Sequence, residues 1–473
     1  MILAQFIPPD DENCESVIIS YGIVFFCNHF LRRRVLYIKA KTLLIIILLK
    51  KGERSMKKII SILLLLLFLV GIAACTAKPG SETPKPDEPI EYENANTELN
   101  EDFCGDLIAF LNQNGFSEEN YLVSPTSFRA ALCLAIAGAE GQTREELLTA
   151  AGFRSVEEAN VWYDGIRASV EWFRENLRLE NKDAEDWLGE EGKADRAFSV
   201  VNSVWNNTDI QGNFLDTYKK YVAEHYDAVA NSVSAAEITD AVNGWCDENT
   251  NGLIPVISDD LSENASVLVN ALYLRTAWTR VFEEYFTKKD AFTCLDGSEV
   301  EKEFMEQTED FAFYQDESKT LVVLPMKGNM YFVAVLGDCE NLPEAIQNAE
   351  FEKVHVKLPK LEIESSFEHS ELVRYLASRG VVKAFDKSAA DFSAMSDFPW
   401  FIDDIIQKTK IKTDEEGIEA AAVTAIEVKA TGFMEPDQSK PKEFIADHPF
   451  SFYIYSGLWN ENPEMLFYGQ CVK

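Results

Sequence analysis

The stretch from Ile418 to Thr431 constrains the fold more than any other part of the chain. Its even-numbered positions, Ile418, Ala420, Ala422, Thr424, Ile426, Val428 and Ala430, carry no charge, while Glu419, Glu427 and Lys429 all fall on odd ones. Strand side chains alternate faces, so the segment can form a strand with one dry face and one wet face. No proline interrupts residues 418–435, which leaves every backbone N–H available to a ladder, as a central strand requires. The small alanines also let it enter between existing strands without overpacking. An Ala-rich exposed helix remains open, because on a helical wheel the three charges cover roughly 160°.

The rest of the chain supplies a setting for such a strand. Leu99, Phe103, Leu107 and Phe110 recur at helical spacing, as do Phe128, Ala131, Leu132, Ala135 and Ile136 after Ser124-Pro125. Residues 157–179 continue the helical pattern, and helices are expected near 213–225 and 236–249. The run Glu180 to Arg196, acidic and with two glycines, reads as an exposed loop insertion. Strand patterns then dominate, at 198–205, 267–274, 320–324, 331–336, 354–358, 450–455 and 465–472. Helices first and strands later, without regular alternation, predict an α+β fold. No repeat and no Pro- or Gly-rich linker divides residues 99–473, so a single domain is expected there.

The residues before it read differently. Met56-Lys57-Lys58 precedes an apolar run from Ile59 to Ala74, too short to span a bilayer comfortably and shaped like an export signal. Gly71-Ile72-Ala73-Ala74-Cys75 resembles the lipobox of bacterial lipoproteins, which implies a signal peptide over 56–74 and lipidation of Cys75. Residues 75–98, rich in Pro, Glu, Asn and Thr, then form a flexible tether. Residues 1–55 fit no part of this scheme and are expected to be untranslated, with the start at Met56. The run Lys51-Gly52-Glu53-Arg54 can be encoded by purine-rich codons of the kind found ahead of a start. The expected location is therefore the cell surface or the extracellular space, with the membrane touched only through the lipid.

Charge excludes one class of partner. Residues 76–473 hold 34 basic and 74 acidic side chains, a formal charge of −40. Such a surface repels phosphate backbones and polyanionic sugars, so neither nucleic acid nor heparin is expected to bind. Enzyme chemistry has little to stand on. Nucleophile elbows, zincin helices, phosphate loops and Cys-x-x-Cys pairs are absent. His225, His355, His369 and His448 are scattered, and His355 and His448 read as structural. Six cysteines follow Cys75, enough for disulfides in an exported chain, although a domain of this size needs none. No metal or cofactor is expected.

At Glu415-Glu416-Gly417-Ile418-Glu419-Ala420-Ala421-Ala422 the chain resembles the proximal hinge of the serpins, a family of serine protease inhibitors. Further family motifs occur in order: Ser124-Pro125 with Ser127; Asn243, Trp245, Thr250 and Ile254; Val269-Asn270-Ala271; Trp278, Phe282 and Thr287; Ala390 to Ser396; and Ala446 to Phe450. The resemblance implies a serpin fold with a large central mixed sheet, further smaller sheets, about eight to nine helices and an exposed reactive-centre loop over about 414–440. It also implies a monomeric suicide substrate of serine proteases, and of some cysteine proteases, rather than an enzyme. In that mechanism the cut loop inserts into the sheet and drags the acylated protease roughly 50 Å, about fifteen residues at about 3.3 Å each.

By the family's count the reactive bond joins Thr431 and Gly432, with Lys429, Phe433 and Met434 as alternatives because the loop is long. Thr431 favours elastase-like or subtilisin-like targets. Ser124, Ser127, Asn270 and Gln407 are expected to form the network that controls strand opening, with Trp278 at the breach where the loop enters. Three positions depart from the pattern: Ile418 stands where Thr or Ser is usual, Gln407 where many members have His, and Ser451 where an apolar residue is common. Ile418 keeps a second expectation alive, a serpin fold that no longer inhibits and acts as a surface binding module.

Overall fold

The structure, a computed structural model, describes residues 95–188, 196–367, 371–418 and 440–473. Its described helices are α1 (Phe103–Gln113), α2 (Pro125–Gly138), α3 (Gly141–Ala151), α4 (Val156–Leu188), α5 (Asp216–Tyr226), α6 (Ile238–Asn249), α7 (Leu342–Gln347) and α8 (Glu371–Ser378). Helix α2 shows how the sequence sets its own place. Ser124 caps it by accepting from the Ser127 N–H, and Pro125 supplies a preset φ at the first turn. All but Arg129 and Ala137 of its residues are then buried. A helix apolar on every side belongs inside the molecule, and its alanines allow the strands around it to come close.

Six strands form the sheet that carries the site: β1 (Ala197–Asn207), β2 (Val229–Val233), β3 (Ser266–Ala277), β4 (Glu362–Phe367), β5 (Asp404–Lys412) and β6 (Gly417–Ile418). Their order is β4-β5-β3-β1-β2, with β6 on the far end of β3. The sheet is mixed, since β5 runs parallel to β3 and β1 antiparallel to it. Its two faces bury different cores. Leu268, Leu272, Leu274, Ile405 and Ile411 belong to the main core that contains α2, whereas Val267, Val269 and Ile406 pack under α6 with Trp205, Val242 and Cys246. Alternation along β3 and β5 therefore assigns every position to one face or the other.

A second, nine-stranded sheet is the larger of the two. The strand Glu299–Gln315 pairs with Lys288–Thr293, Lys319–Met326 and Glu350–Pro359, joining all four in one sheet. Lys442–Ile445 and Phe450–Ser456 both return to this sheet, so the chain leaves one sheet at Ile418 and re-enters the other.

One expectation changes. Residues 180–188 continue helix α4 instead of forming a loop. They lack an apolar stripe, but Glu180, Lys182, Ala184, Glu185 and Leu188 are good helix formers, and neither Gly nor Pro occurs within 180–188. None of the described cysteines is in a disulfide. Cys133 and Cys246 are buried instead, and burial pushes their thiols up to about 12, far from reactive.

Candidate functional site

The site is a gap between two strands. Strands β5 and β3 pair through only four positions, Asp404 with Val267 up to Gln407 with Asn270. Beyond that point Lys408 to Lys412 keep their partners on β4, and Ala271 to Arg275 keep theirs on β1. The facing edges of β5 and β3 have parted, leaving a lane between them.

Ile418 stands at the head of this lane. It pairs with Thr276 on β3, makes a bridge to Thr413 just past β5, and is 2% exposed. A β-branched apolar side chain suits that buried strand position. Gly417 before it has no room for a side chain. A Cβ there would lie 2.1 Å from the Thr276 carbonyl oxygen and 2.6 Å from the Ala277 Cα.

The turn into the hinge is tied on every side. Asp414 accepts from the N–H groups of Glu416 and Gly417 at 2.9 and 3.1 Å, the pattern of an Asx turn. The indole N–H of Trp278 donates to the Asp414 carbonyl at 2.9 Å, and its backbone N–H donates to the Glu416 carbonyl at 2.8 Å. The Trp278 ring is buried edge-on against Phe282 and Phe332. Glu415 points inward, receiving the Thr287 hydroxyl at 2.6 Å and the Lys360 ammonium at 2.9 Å. Burial by itself raises the Glu415 pKa, but these two partners outweigh it and hold the carboxyl below its ordinary value. Lys360 moves upward, its partial burial overcome by the same carboxylate.

The foot of the lane is closed by a clasp. Gln407 accepts from the Ser124 N–H at 3.0 Å and donates its amide to the Ser124 carbonyl at 2.9 Å, gripping the residue that caps α2. The Ser124 hydroxyl donates to the Leu466 carbonyl at 2.7 Å, which anchors the clasp to the second sheet. Ser127 takes part through its backbone N–H.

Asn270 does not join this group, contrary to the expectation of one network. Its amide donates to Asn202, which in turn donates to the Tyr163 hydroxyl at 3.1 Å. Register explains the split. Asn270 lies directly opposite Asn202 on β1 and beside Gln407 on β5, and only the longer Gln side chain reaches α2. The Oδ1 of Asn270 is buried and meets no donor among the described residues. Thr409, two positions along the same face, donates to the Leu122 carbonyl at 2.7 Å and is a second tie that sequence reasoning missed. Parity with Gln407 was the signal that could have found it. Lys360 had no such signal, because its contact joins residues far apart in the chain.

Glu419, Ala420, Ala421, Ala422, Thr431, Gly432 and Cys75 lie outside the described residues, as do residues 1–94 and most of the expected loop. Of the expected hinge, Glu415 to Ile418 are brought together with Trp278. Ser124, Ser127 and Gln407 meet at the other end of the lane. Ser451 sits on the second sheet, with its hydroxyl 3.2 Å from that of Tyr468, away from the site.

Residues 98–473 match the sequence model of the family described as Serpin (serine protease inhibitor). Serpin-Z1B of Triticum aestivum is 31% identical, over 75% of this chain and 90% of its own. The leukocyte elastase inhibitor of Xenopus laevis is 27% identical, over 78% and 96%. Among solved structures, the thermophilic serpin Tengpin in its native state aligns with a TM-score of 0.63 at 25% identity, covering 82% of this chain and 97% of that one. Serpin48 of the insect Tenebrio molitor aligns with a TM-score of 0.61 at 26% identity, covering 78% and 96%.

Proposed function

The chain belongs to the serpin family of protease inhibitors, and from that premise we propose that it traps serine-type endopeptidases as a suicide substrate, by inserting its cut loop into the lane between β3 and β5. The observation that carries this reading is Ile418, the first residue of the alternating segment, already buried between Thr276 and Thr413. In the inserted state, continuing the same antiparallel register would give each following residue its place as follows. Ala420 comes between Leu274 and Ile411, Ala422 between Leu272 and Thr409, and Ile426 between Leu268 and Ile405. These neighbours line the main-core face, and small or branched apolar side chains fit there.

Thr424 comes between Asn270 and Gln407. Its hydroxyl can donate to the orphaned Asn270 Oδ1. On the opposite face Glu419 falls between Arg275 and Lys412, two cations for one carboxylate. Glu427 falls between Val267 and Asp404, where like charges meet. The order of favourable steps thus runs from hinge to foot.

Each ladder hydrogen bond contributes about 0.5–1.5 kcal/mol net, and burying each apolar side chain adds about 25 cal/mol per Å². The uncut chain is held short of this state because its loop is tied at both ends. Ile418 is fixed in one sheet, and Lys442–Ile445 pairs with Glu350–Pro359 in the other. Cleavage between them removes one tie. The native form is therefore kinetically trapped.

The reactive bond is assigned to Thr431-Gly432, with elastase-like or subtilisin-like targets. Mixing the protein with elastase-, subtilisin-, trypsin- and chymotrypsin-type proteases is expected to yield, for at least one, a complex that survives boiling in detergent. The released peptide is expected to begin at Gly432. Clean cleavage by every protease with no covalent complex would instead support a surface binding role. The signal-like run ending at Cys75 supports export and lipid attachment, and incorporation of labelled fatty acid that disappears in Cys75→Ser tests this.

A further inference from the structure

Helix α4 turns two apolar faces in nearly opposite directions. One joins the core through Tyr163, Ile166, Val170 and Phe173, each at most 9% exposed. The other runs through Val161, Gly165, Ala168, Trp172 and Leu179, which at about 100° per residue share a stripe about 60° wide, centred about 150° from the core face. All five are exposed, Val161 by 70%, Trp172 by 48% and Leu179 by 46%. A continuous apolar stripe turned to water, unlike single scattered residues, marks an interaction surface. It takes no part in loop insertion as described above.

The stripe is complementary to itself. A twofold axis at the level of Val170 sets two copies of α4 antiparallel, with Val161 opposite Leu179 of the second copy and Trp172 over the notch left by Gly165 and Ala168. A Cβ on Gly165 would meet nothing within 4 Å, so the ring has room to come close. On one flank Asp164 falls within about 3 Å, along the helix axis, of Arg178 of the second copy. Both side chains are 61% exposed, each with an i,i+3 partner on its own helix. A parallel arrangement would set Asp164 against Asp164 and Trp172 against Trp172, leaving the notch empty. Charge also allows the approach here. Residues 161–182 hold four acidic and four basic side chains, whereas the chain as a whole stands at −35. Exposed charges more than about 8 Å apart are largely screened at physiological salt, so the local balance decides.

We infer that α4 pairs antiparallel with α4 of a second copy of this chain, forming a weak and reversible dimer. Two half-exposed tryptophans and two Val–Leu contacts make a small apolar centre along a segment about 27 Å long. Such a contact falls below the roughly 1,200 Å² at which stable interfaces begin, and sets Kd on the order of 10–100 µM. The serpin resemblance implies a monomer, and this surface adds a second, concentration-dependent state. The inference stands on α4 alone and does not require that the protein inhibit a protease.

Sedimentation equilibrium of the full chain tests it. The mass is expected to rise from monomer towards dimer between about 5 and 500 µM. Trp172→Glu should weaken pairing at least about tenfold while leaving the melting temperature of the dilute protein unchanged, because the residue is exposed. Arg178→Glu should weaken it about fivefold, since two exposed ion pairs are lost, and combining it with Asp164→Lys should restore most of the affinity. Cross-linking reads the register. Val161→Cys together with Leu179→Cys should join two chains through a short bismaleimide well above the background of the parent, whereas Val161→Cys alone should not. A chain that stays monomeric at about 500 µM, a dimer indifferent to Trp172→Glu, or equal cross-linking by Val161→Cys alone overturns the inference.

Discussion

The two ends of the lane are made from the same pair of strands, yet they are held by different means. At the foot, β3 and β5 are paired and Gln407 grips both main-chain groups of Ser124. At the head they stand apart, and the hinge fills the opening with Ile418 while Trp278, Lys360 and Thr287 hold the turn behind it. The foot is closed by polar contacts that have to be exchanged before a strand can pass. The head is open and apolar, ready to accept one. Under the proposed mechanism insertion would begin at Ile418 and would have to pass the clasp at Gln407 before Ile426 and Glu427 could enter.

The largest effect is expected from closing the head to entry. Ile418→Glu places a carboxylate at a buried strand position, and an unpaired buried charge is among the most destabilising changes. The variant should be cleaved as a plain substrate, with the yield of detergent-stable complex falling at least about tenfold. The readout is the number of inhibitor molecules consumed per protease blocked. A variant that inhibits as well as the parent would separate hinge entry from trapping.

Loosening the foot comes next. Gln407→Ala removes two hydrogen bonds to Ser124 and leaves that buried N–H and carbonyl without them, a loss of about 1–3 kcal/mol. The intact protein should melt several degrees lower, and the β3–β5 gap should open faster by hydrogen exchange at Val269 and Ile406. Unchanged exchange there would mean that the clasp is not what closes the foot.

A smaller effect belongs to the turn behind the hinge. Because Thr287 and Lys360 hold Glu415 below the ordinary glutamate value of 4.5, its contribution to stability is present above that pH and is lost as pH falls through the depressed value. Glu415→Gln should therefore lower the melting temperature at neutral pH and flatten its decline in acid. A decline as steep as the parent's would assign the acid sensitivity to other carboxylates.

The smallest change tests the register. Glu427→Gln removes a like charge facing Asp404 in the inserted state and should stabilise only the cleaved form, by about 0.2–1 kcal/mol. Equal shifts in intact and cleaved protein would put Glu427 elsewhere.

The alternation from Ile418 onward is readable without any structure, whereas the hinge was named through its resemblance to that of the serpins, and only Glu415 to Ile418 of it lie among the described residues. The N-cap at Ser124 was legible for a similar reason, since Ser-Pro followed by an apolar helix is a local signal. What could not be read is register. Whether Asn270 meets Gln407 or Asn202 depends on which strands lie side by side, and no local pattern records that. The extension of α4 through residues 180–188 was hidden because an exposed polar helix has no apolar stripe to show.

If the cut loop inserts as proposed, the cut chain is more stable than the whole one. Scanning calorimetry on intact protein, and on protein cut once between residues 426 and 435 with both fragments retained, tests it most directly. The cut form is expected to melt tens of degrees higher. A cut form that melts at or below the intact temperature contradicts it.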